Sequence, residues 1–341
     1  MKRNIIQVIS FVLLSNIIFA QDIHYSQYYA NKLALNPAMA GANYDLSVNL
    51  SYKDQWRSLI SPYKTYTLGV DKRIRLGRSK NFLALGLVFH NDQNSVLNST
   101  IGNLNIAYHL RTGKYSKIGT GLLIGFGQKN TNNFAFQTGS QYNGQQYDQN
   151  LASGENMSLN SFGYLDAGIG TVWTFDDSNG KNNVISGSGK KMNIGASLTH
   201  LNRPKNSFYG VDERLPIKYT IHGDGGIGLN GMRLSVLPSF ILNIQGKQKE
   251  IILGSMLRYQ MMGASKVTNF KNSAAVSLGA HYRYKDAIIL ATMLEVSSYT
   301  FGLSYDVTAS KLSKYSNGRG GIEFFIRFVT PNPFGGSKSR I

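Results

Sequence analysis

Residues 36–56 read NPAMAGANYDLSVNLSYKDQW, and the reading of their middle decides the fold. Leu46, Val48, Leu50 and Tyr52 alternate with Asp45, Ser47, Asn49, Ser51 and Lys53, so apolar side chains share one face and polar ones the other. That is a half-buried strand. Alternation by itself fits a soluble sandwich as well as a wall facing lipid, and the rest of the chain has to separate the two.

The same pattern returns along the sequence. Tyr66, Leu68 and Val70 alternate with Thr65, Thr67, Gly69 and Asp71; Leu83, Leu85, Leu87 and Phe89 alternate with Ala84, Gly86 and His90. Leu104, Ile106, Tyr108 and Leu110 oppose Asn103, Asn105, His109 and Arg111, and Ile118, Leu122, Ile124 and Phe126 oppose Gly119, Gly121, Gly125 and Gly127. A sandwich in water would carry Lys, Glu and Thr on its polar face. Here that face is mostly Gly, Ala, Ser and Asn, as a crowded lumen requires.

Composition agrees. Hydrophobic residues are 42% and charged residues 16%, with 36 Gly, 20 Tyr and 17 Phe among 341 residues. Strand-preferring aromatics are plentiful and charge is scarce, which excludes a helical bundle and a disordered tail. Lys2 and Arg3 precede an apolar run from Ile5 to Phe19, and Ala20 offers a small residue before Gln21, so 1–20 reads as a secretory signal peptide. There is no cysteine to staple an exported chain. No later apolar run is long enough for a transmembrane helix, so only β closure could cross a membrane. Subtracting Lys2 and Arg3 from the formal +18 leaves +16, which suits lipid headgroups or an acidic partner, and nucleic acid is a poor choice behind a signal peptide. Basic residues such as Arg73, Arg75, Lys80, Lys190 and Lys191 gather at predicted strand ends and read as a rim facing headgroups.

The expected architecture is an all-β transmembrane outer-membrane barrel of about 14 antiparallel strands. Residues 21–43 form a periplasmic lead-in, or a plug that folds under the barrel; 44–329 form the barrel and 330–341 a short tail. An even strand count puts both ends on the periplasmic side and the connections 54–62, 128–160, 202–216 and 307–319 outside. Asn230-Gly231 is a two-residue hairpin signal.

Catalytic and metal signatures are weak. The six histidines (His24, His90, His109, His200, His222, His281) are dispersed, with no cysteine to join them. Gly223 to Gly228 matches a dinucleotide fingerprint, but a turn and another strand follow where a helix would have to receive phosphate. Gly187 to Lys191 lacks the upstream glycine and the final hydroxyl residue of a P-loop. No enzyme activity, cofactor or metal is expected.

Several pieces in order resemble one family, the PorP/SprF-type outer-membrane proteins of the type IX secretion and gliding machinery of the Bacteroidetes. They are Ser26-Gln27-Tyr28 with Leu35 to Gly41; Tyr52 to Trp56, where the family's pattern has Arg at the Lys53 position; and His200 to Pro204 with Ser207-Phe208 and Leu215-Pro216. Gly279 to Arg283 with Asp286-Ala287, and Ser304 to Val307 with Asn317-Gly318 and Gly321 to Glu323, complete the set. Asp22-Ile23-His24, where the family often has Pro, and the long Gln/Asn-rich stretch depart from it. The resemblance implies an outer-membrane protein working with a periplasmic ring lipoprotein complex. It would help export or surface-attach cargo bearing a C-terminal signal domain, a gliding adhesin among them. The alternative is a FadL-like or porin-like transport channel. Candidate partner-binding residues are Asn36, Pro37, Trp56, Arg203, Pro204 and Arg319. Each also has a plain structural reading: Asn36-Pro37 ends a segment, Trp56 anchors at a membrane interface, and Arg319 pairs with Glu323 inside the barrel.

Overall fold

The computed structural model describes residues 22–330, apart from 58–61, 78, 95–96, 132–138, 149, 152–160, 178–188, 209–211, 230–231, 263–273, 311–312 and 317. The expected leader 1–20, the end of the chain at 331–341 and the expected turn at Asn230-Gly231 therefore lie outside the described residues.

Fourteen antiparallel strands close into a barrel. They are β1 Leu46–Gln55, β2 Tyr63–Arg75, β3 Phe82–Gln93, β4 Leu97–Arg111, β5 Ser116–Thr131, β6 Phe162–Asp176 and β7 Lys190–Thr199. The second half continues with β8 Lys218–Gly228, β9 Leu234–Gln245, β10 Gln248–Met262, β11 Ala274–Arg283, β12 Ala287–Val296, β13 Tyr299–Thr308 and β14 Arg319–Thr330. Each strand pairs with its sequence neighbours, and β1 closes on β14 from Leu46 opposite Thr330 to Gln55 opposite Gly321. Closure leaves no unpaired edge, as a spanning sheet must. The strand ends differ from expectation by a few residues; β5, for example, runs on to Thr131.

The wall is apolar outside and polar inside. Leu87 (60%), Ile124 (59%), Leu165 (68%), Leu257 (58%) and Leu278 (60%) stand exposed in mid-strand. On β1 the order is the same: Leu50 is exposed, while Ser47, Asn49, Ser51 and Lys53 are buried toward the lumen. A protein meeting water would invert this arrangement, so the outer band is a surface for acyl chains.

The apolar contacts inside do not run from wall to wall. Residues 22–45, with a short helix at Lys32–Leu35 and a 3₁₀ turn at Pro37–Met39, lie within the ring, and every buried cluster includes them. Tyr25, Tyr28 and Leu35 pack on Ile241, Ile252 and Ile289; Ala30 packs with Met256, Met293 and Phe325. Further along, Ala38 and Met39 meet Val172, and Ala40 meets Ala84 and Ala107. Glycines make the room: a Cβ on Gly121 would sit 2.4 Å from the Ala38 nitrogen, and one on Gly170 2.0 Å from Asn36 Oδ1.

The outward leucines predict a membrane-specific penalty. Leu87→Arg should cost ~2–4 kcal/mol in lipid-bilayer unfolding titrations; a cost within about 0.5 kcal/mol, as for an ordinary water-exposed site, would contradict a lipid-facing band.

Candidate functional site

The segment 22–45 threads the barrel from one mouth to the other. Its start meets the strand ends that flank the odd-numbered connections. Asp22 Oδ2 lies 2.8 Å from His200 Nε2 and 3.4 Å from Lys218 Nζ, and the Asp22 N–H donates to Gln245 Oε1 at 3.3 Å. His200 Nδ1 in turn sits 2.9 Å from Asp166 Oδ2. Burial by itself disfavours the His200 imidazolium, but the Asp22 carboxylate, joined by Asp166, outweighs it and lifts the group to about 9. Burial also opposes the Asp22 carboxylate; Lys218 and then His200 overcome that and hold it well below the usual carboxylate range.

Deeper in, a network of charged residues grips the chain. Glu323 accepts the Ser26 N–H at 2.7 Å and the Gln27 N–H at 3.3 Å, while Gln27 Nε2 donates to the Glu323 carbonyl at 2.8 Å. Ser26 Oγ donates to Asp306 at 2.7 Å and accepts from Arg283 at 2.8 Å; Arg283 also reaches Asp306 at 3.1 Å. Lys53 donates to the His24 carbonyl at 3.1 Å. Glu323, Asp306, Arg283 and Lys53 are all at most 4% exposed, so each relies on these partners.

At mid-lumen Asn36 is the pivot. Its Oδ1 caps the Ala38 N–H at 2.9 Å, and its Nδ2 donates to the Thr171 and Ala196 carbonyls at 2.9 and 3.3 Å, with His222 Nε2 at 3.0 Å. Ser197 Oγ donates to the Leu35 carbonyl at 2.6 Å and His109 Nε2 to the Ala40 carbonyl at 2.8 Å. Near the other mouth Lys32 pairs with Asp224 at 2.5 Å, Gly41 N–H donates to Asp71 at 2.8 Å, and Arg73 and Lys117 hold the Gly41 and Ala42 carbonyls. Counting these contacts, the segment touches all fourteen strands.

The sequence profile described as type IX secretion system membrane protein PorP/SprF matches residues 17–328, nearly the whole chain. The chain belongs to the PorP/SprF family. Its solved structural neighbours are distant barrels. The toluene transporter TbuX of Ralstonia pickettii shares 10% identity at a TM-score of 0.49, with 88% of this chain and 92% of that one covered. The CymD monoaromatic hydrocarbon channel shares 11% at 0.46 over 88% and 92%. BamA of Haemophilus ducreyi shares 11% at 0.43, covering 84% of this chain and 70% of that one. No curated protein matches the chain.

Within this PorP/SprF barrel, the residues singled out from sequence divide into two groups. Asn36 and Pro37 are buried at mid-lumen, where a macromolecule reaches them only if the segment leaves. Trp56, Arg203, Pro204 and Arg319 stand at the mouth with the odd-numbered connections. Trp56, at φ 60°, stacks edge-on with Tyr63 at 5.5 Å and donates its backbone N–H to Gly320, the neighbour of Arg319. Trp56 also lines, with Asp22, Lys218 and Arg283, a cavity of about 300 Å³. Arg203 is exposed, and buried Pro204 begins a small hairpin in which Lys205 bridges Arg214 and the Leu215 N–H returns to the Pro204 carbonyl. Arg319 is exposed and makes no pair with Glu323 among the described residues; Glu323 is taken by the Ser26 and Gln27 amides instead.

The rim reading of the charge is corrected in part: Lys190 keeps the outward phase of Met192 and Ile194, while other strand-end cations turn inward. Arg73 and Arg75 share the phase of buried Thr65 and Thr67, Arg111 that of His109, Lys117 that of Gly119, and Lys191 that of Asn193. They point into the lumen at its second mouth and not at headgroups. The signal was already in the alternation of each strand, carried to its last residue. The dinucleotide-like glycines lie on β8, where Asp224 is occupied by Lys32.

Two outcomes follow from these anchors. Asn36→Ala should cost ~2–3 kcal/mol in the denaturant midpoint, since it orphans buried amide and carbonyl groups. The Asp22–His200 pair gives a pH window. His200 is raised on folding, so its contribution is complete below ~6.5 and is lost as the pH rises through about 9. Asp22 is lowered, so its contribution holds above ~3.9 and fades in acid. A nitroxide on Ile23→Cys, the sole thiol of the chain, should be immobile at pH 7 and mobile by pH 10, and mobile at both with His200→Ala.

Proposed function

We propose that this barrel is a non-enzymatic outer-membrane component of the type IX secretion system, exported by the leader 1–20, that assists export or surface attachment of cargo through protein contacts. The observation that carries the reading is the filled lumen. A wall contacted on every strand by an internal segment offers no open conduit, whereas a component that acts by docking needs none. A transport channel would have to displace 22–45 against the Glu323, Asp306, Arg283 and Asn36 anchors.

Outer-membrane barrels keep short turns in the periplasm and long loops outside. The longest connections here, 132–161 and 200–217, are odd-numbered, so the odd mouth is taken as external and the even mouth as periplasmic. In that orientation residue 22 lies at the outer face, beside Trp56 and the hairpin that starts at Pro204, and not on the periplasmic side as strand parity alone would place it, because 22–45 crosses the lumen before β1 begins. That surface, with Arg203 and Arg319, is the proposed place for cargo, including cargo with a C-terminal signal domain. The periplasmic mouth is then left for the ring lipoprotein complex.

Two measurements test this. In planar bilayers the intact protein should be silent, and removal of residues 22–41 should produce a steady current; a large current from the intact chain favours the channel reading. Deleting the chain from its host should remove one or a few proteins from the cell surface and medium, and an unchanged proteome would refute the secretion role.

A further inference from the structure

The mouth at the even-numbered connections holds a cavity of about 690 Å³ beside the point where the internal segment turns into β1. Its wall is strongly basic. Arg73 and Arg75 from β2, Arg111 from β4, Lys117 from β5 and Lys191 from β7 line it, with Lys80 and Lys114 from the turns between strands. Only Asp45 and Asp176 among its lining residues oppose these seven cations, leaving a balance of +5.

Much of that charge has no carboxylate of its own. Asp45 is shared by Arg73 at 2.9 Å and Arg75 at 3.0 Å, and Asp176 is 4.0 Å from Lys191. Among the described residues Arg111, Lys114 and Lys117 have no carboxylate within ion-pair distance. Arg111 bonds the Gly113 and Lys114 carbonyls, Lys114 lies 5.0 Å from the Tyr115 ring, and Lys117 lies 5.5 Å from the Phe82 ring that Arg73 also covers at 4.8 Å. Concentrating like charge in a recess is unfavourable unless an anion relieves it.

Geometry says which anion. The strand-borne cations share the inward phase of their strands, so a bilayer phosphate beside the outer wall does not reach them. They are also spread and not focused. β2 to β7 are consecutive neighbours, and five spacings of ~4.8 Å make an arc of about 24 Å. A single phosphate meets two or three of these groups at most. An extended chain rising ~3.3 Å per residue covers the arc with about seven residues, and the Phe82 and Tyr115 rings supply apolar contact between the charges. We infer that this mouth binds an extended acidic peptide segment of a protein partner on the periplasmic side. The inference rests on the proposed orientation and secretion role, and names the chemistry of the partner.

The probe is a fluorescein-labelled eight-residue peptide alternating glutamate and glycine, titrated against the full-length barrel in zwitterionic nanodiscs at low salt. Saturable binding is expected, with a steep loss as salt rises and no binding of the glutamine counterpart. The triple variant Arg75→Ala, Lys80→Ala, Lys114→Ala alters exposed or turn residues and should weaken binding roughly ten-fold or more, as loss of three partly solvated ion contacts implies. Heat-modifiable mobility on gels confirms that the variant is still a closed barrel; if it is not, Lys114→Ala alone should weaken binding about two- to five-fold. Equal binding of the glutamine peptide, unchanged affinity in the variants, or full displacement by equimolar inorganic phosphate would overturn the inference. So would loss of peptide binding when phosphatidylglycerol is added to the nanodiscs, since a lipid would then hold the site. If peptide binding fails while deletion of the chain still abolishes cargo export, this inference alone falls; if export is indifferent to deletion, the reading beneath it falls as well.

Discussion

Inside this barrel the governing constraint is that polar groups withdrawn from water must find partners. An outer face committed to acyl chains forces the opposite phase of every strand inward, and that phase carries Ser, Asn, His, Lys and Glu. Residues 22–45 answer it with main-chain amides and carbonyls as much as with side chains. Glu323 accepts two successive amides, Lys53 and Ser197 donate to carbonyls, and Asn36 bridges its own turn to two strands. The segment and the wall are therefore complements, and neither side of the interface is satisfied alone.

That dependence also explains where small residues occur. The inward phase of β5 reads Gly119, Gly121, Leu123, Gly125 and Gly127, and across the lumen wall Gly170 and Gly195 continue the low ground. Pro37 to Met39 settles into it so closely that a methyl group at Gly121 or Gly170 would collide with backbone or with Asn36. Elsewhere the wall is bulky, as with Ile241, Ile252, Ile289 and Phe325, and the segment presents tyrosines and alanines there. Packing thus sets the path of the chain, and hydrogen bonds set its register along that path.

The two mouths differ in kind. At one, the start of the segment is tied by compensated charge: Asp22, His200, Asp166 and Lys218 neutralise one another, and Trp56 and the Pro204 hairpin surround them with ordinary loop structure. At the other, cations outnumber carboxylates and the tie to the wall is through carbonyls held by Arg73 and Lys117. Such asymmetry gives each mouth a different chemistry by which to select what it meets.

Much of this was legible in the chain itself. Period-two alternation over many segments, an inner face of small and polar residues, and the lack of a long apolar run dictate an outward-greasy closed sheet, and the ordered motifs from Ser26 to Glu323 identify the family. Even the lumenal address of Arg73 and Lys191 is written in strand phase, though their position at strand ends invites a headgroup reading. What the one-dimensional pattern does not carry is which distant residues become neighbours. Glu323 and Arg319 are four apart and of opposite sign, yet Glu323 bonds Ser26 and Gln27 nearly three hundred positions away. The sequence by itself determined a barrel and its two faces, because side-chain alternation is a local property of a strand. Only the tertiary structure decided that residues 22–45 run through the lumen and that four strands pool their cations at one mouth, because closing the ring is what brings those residues to a common interior.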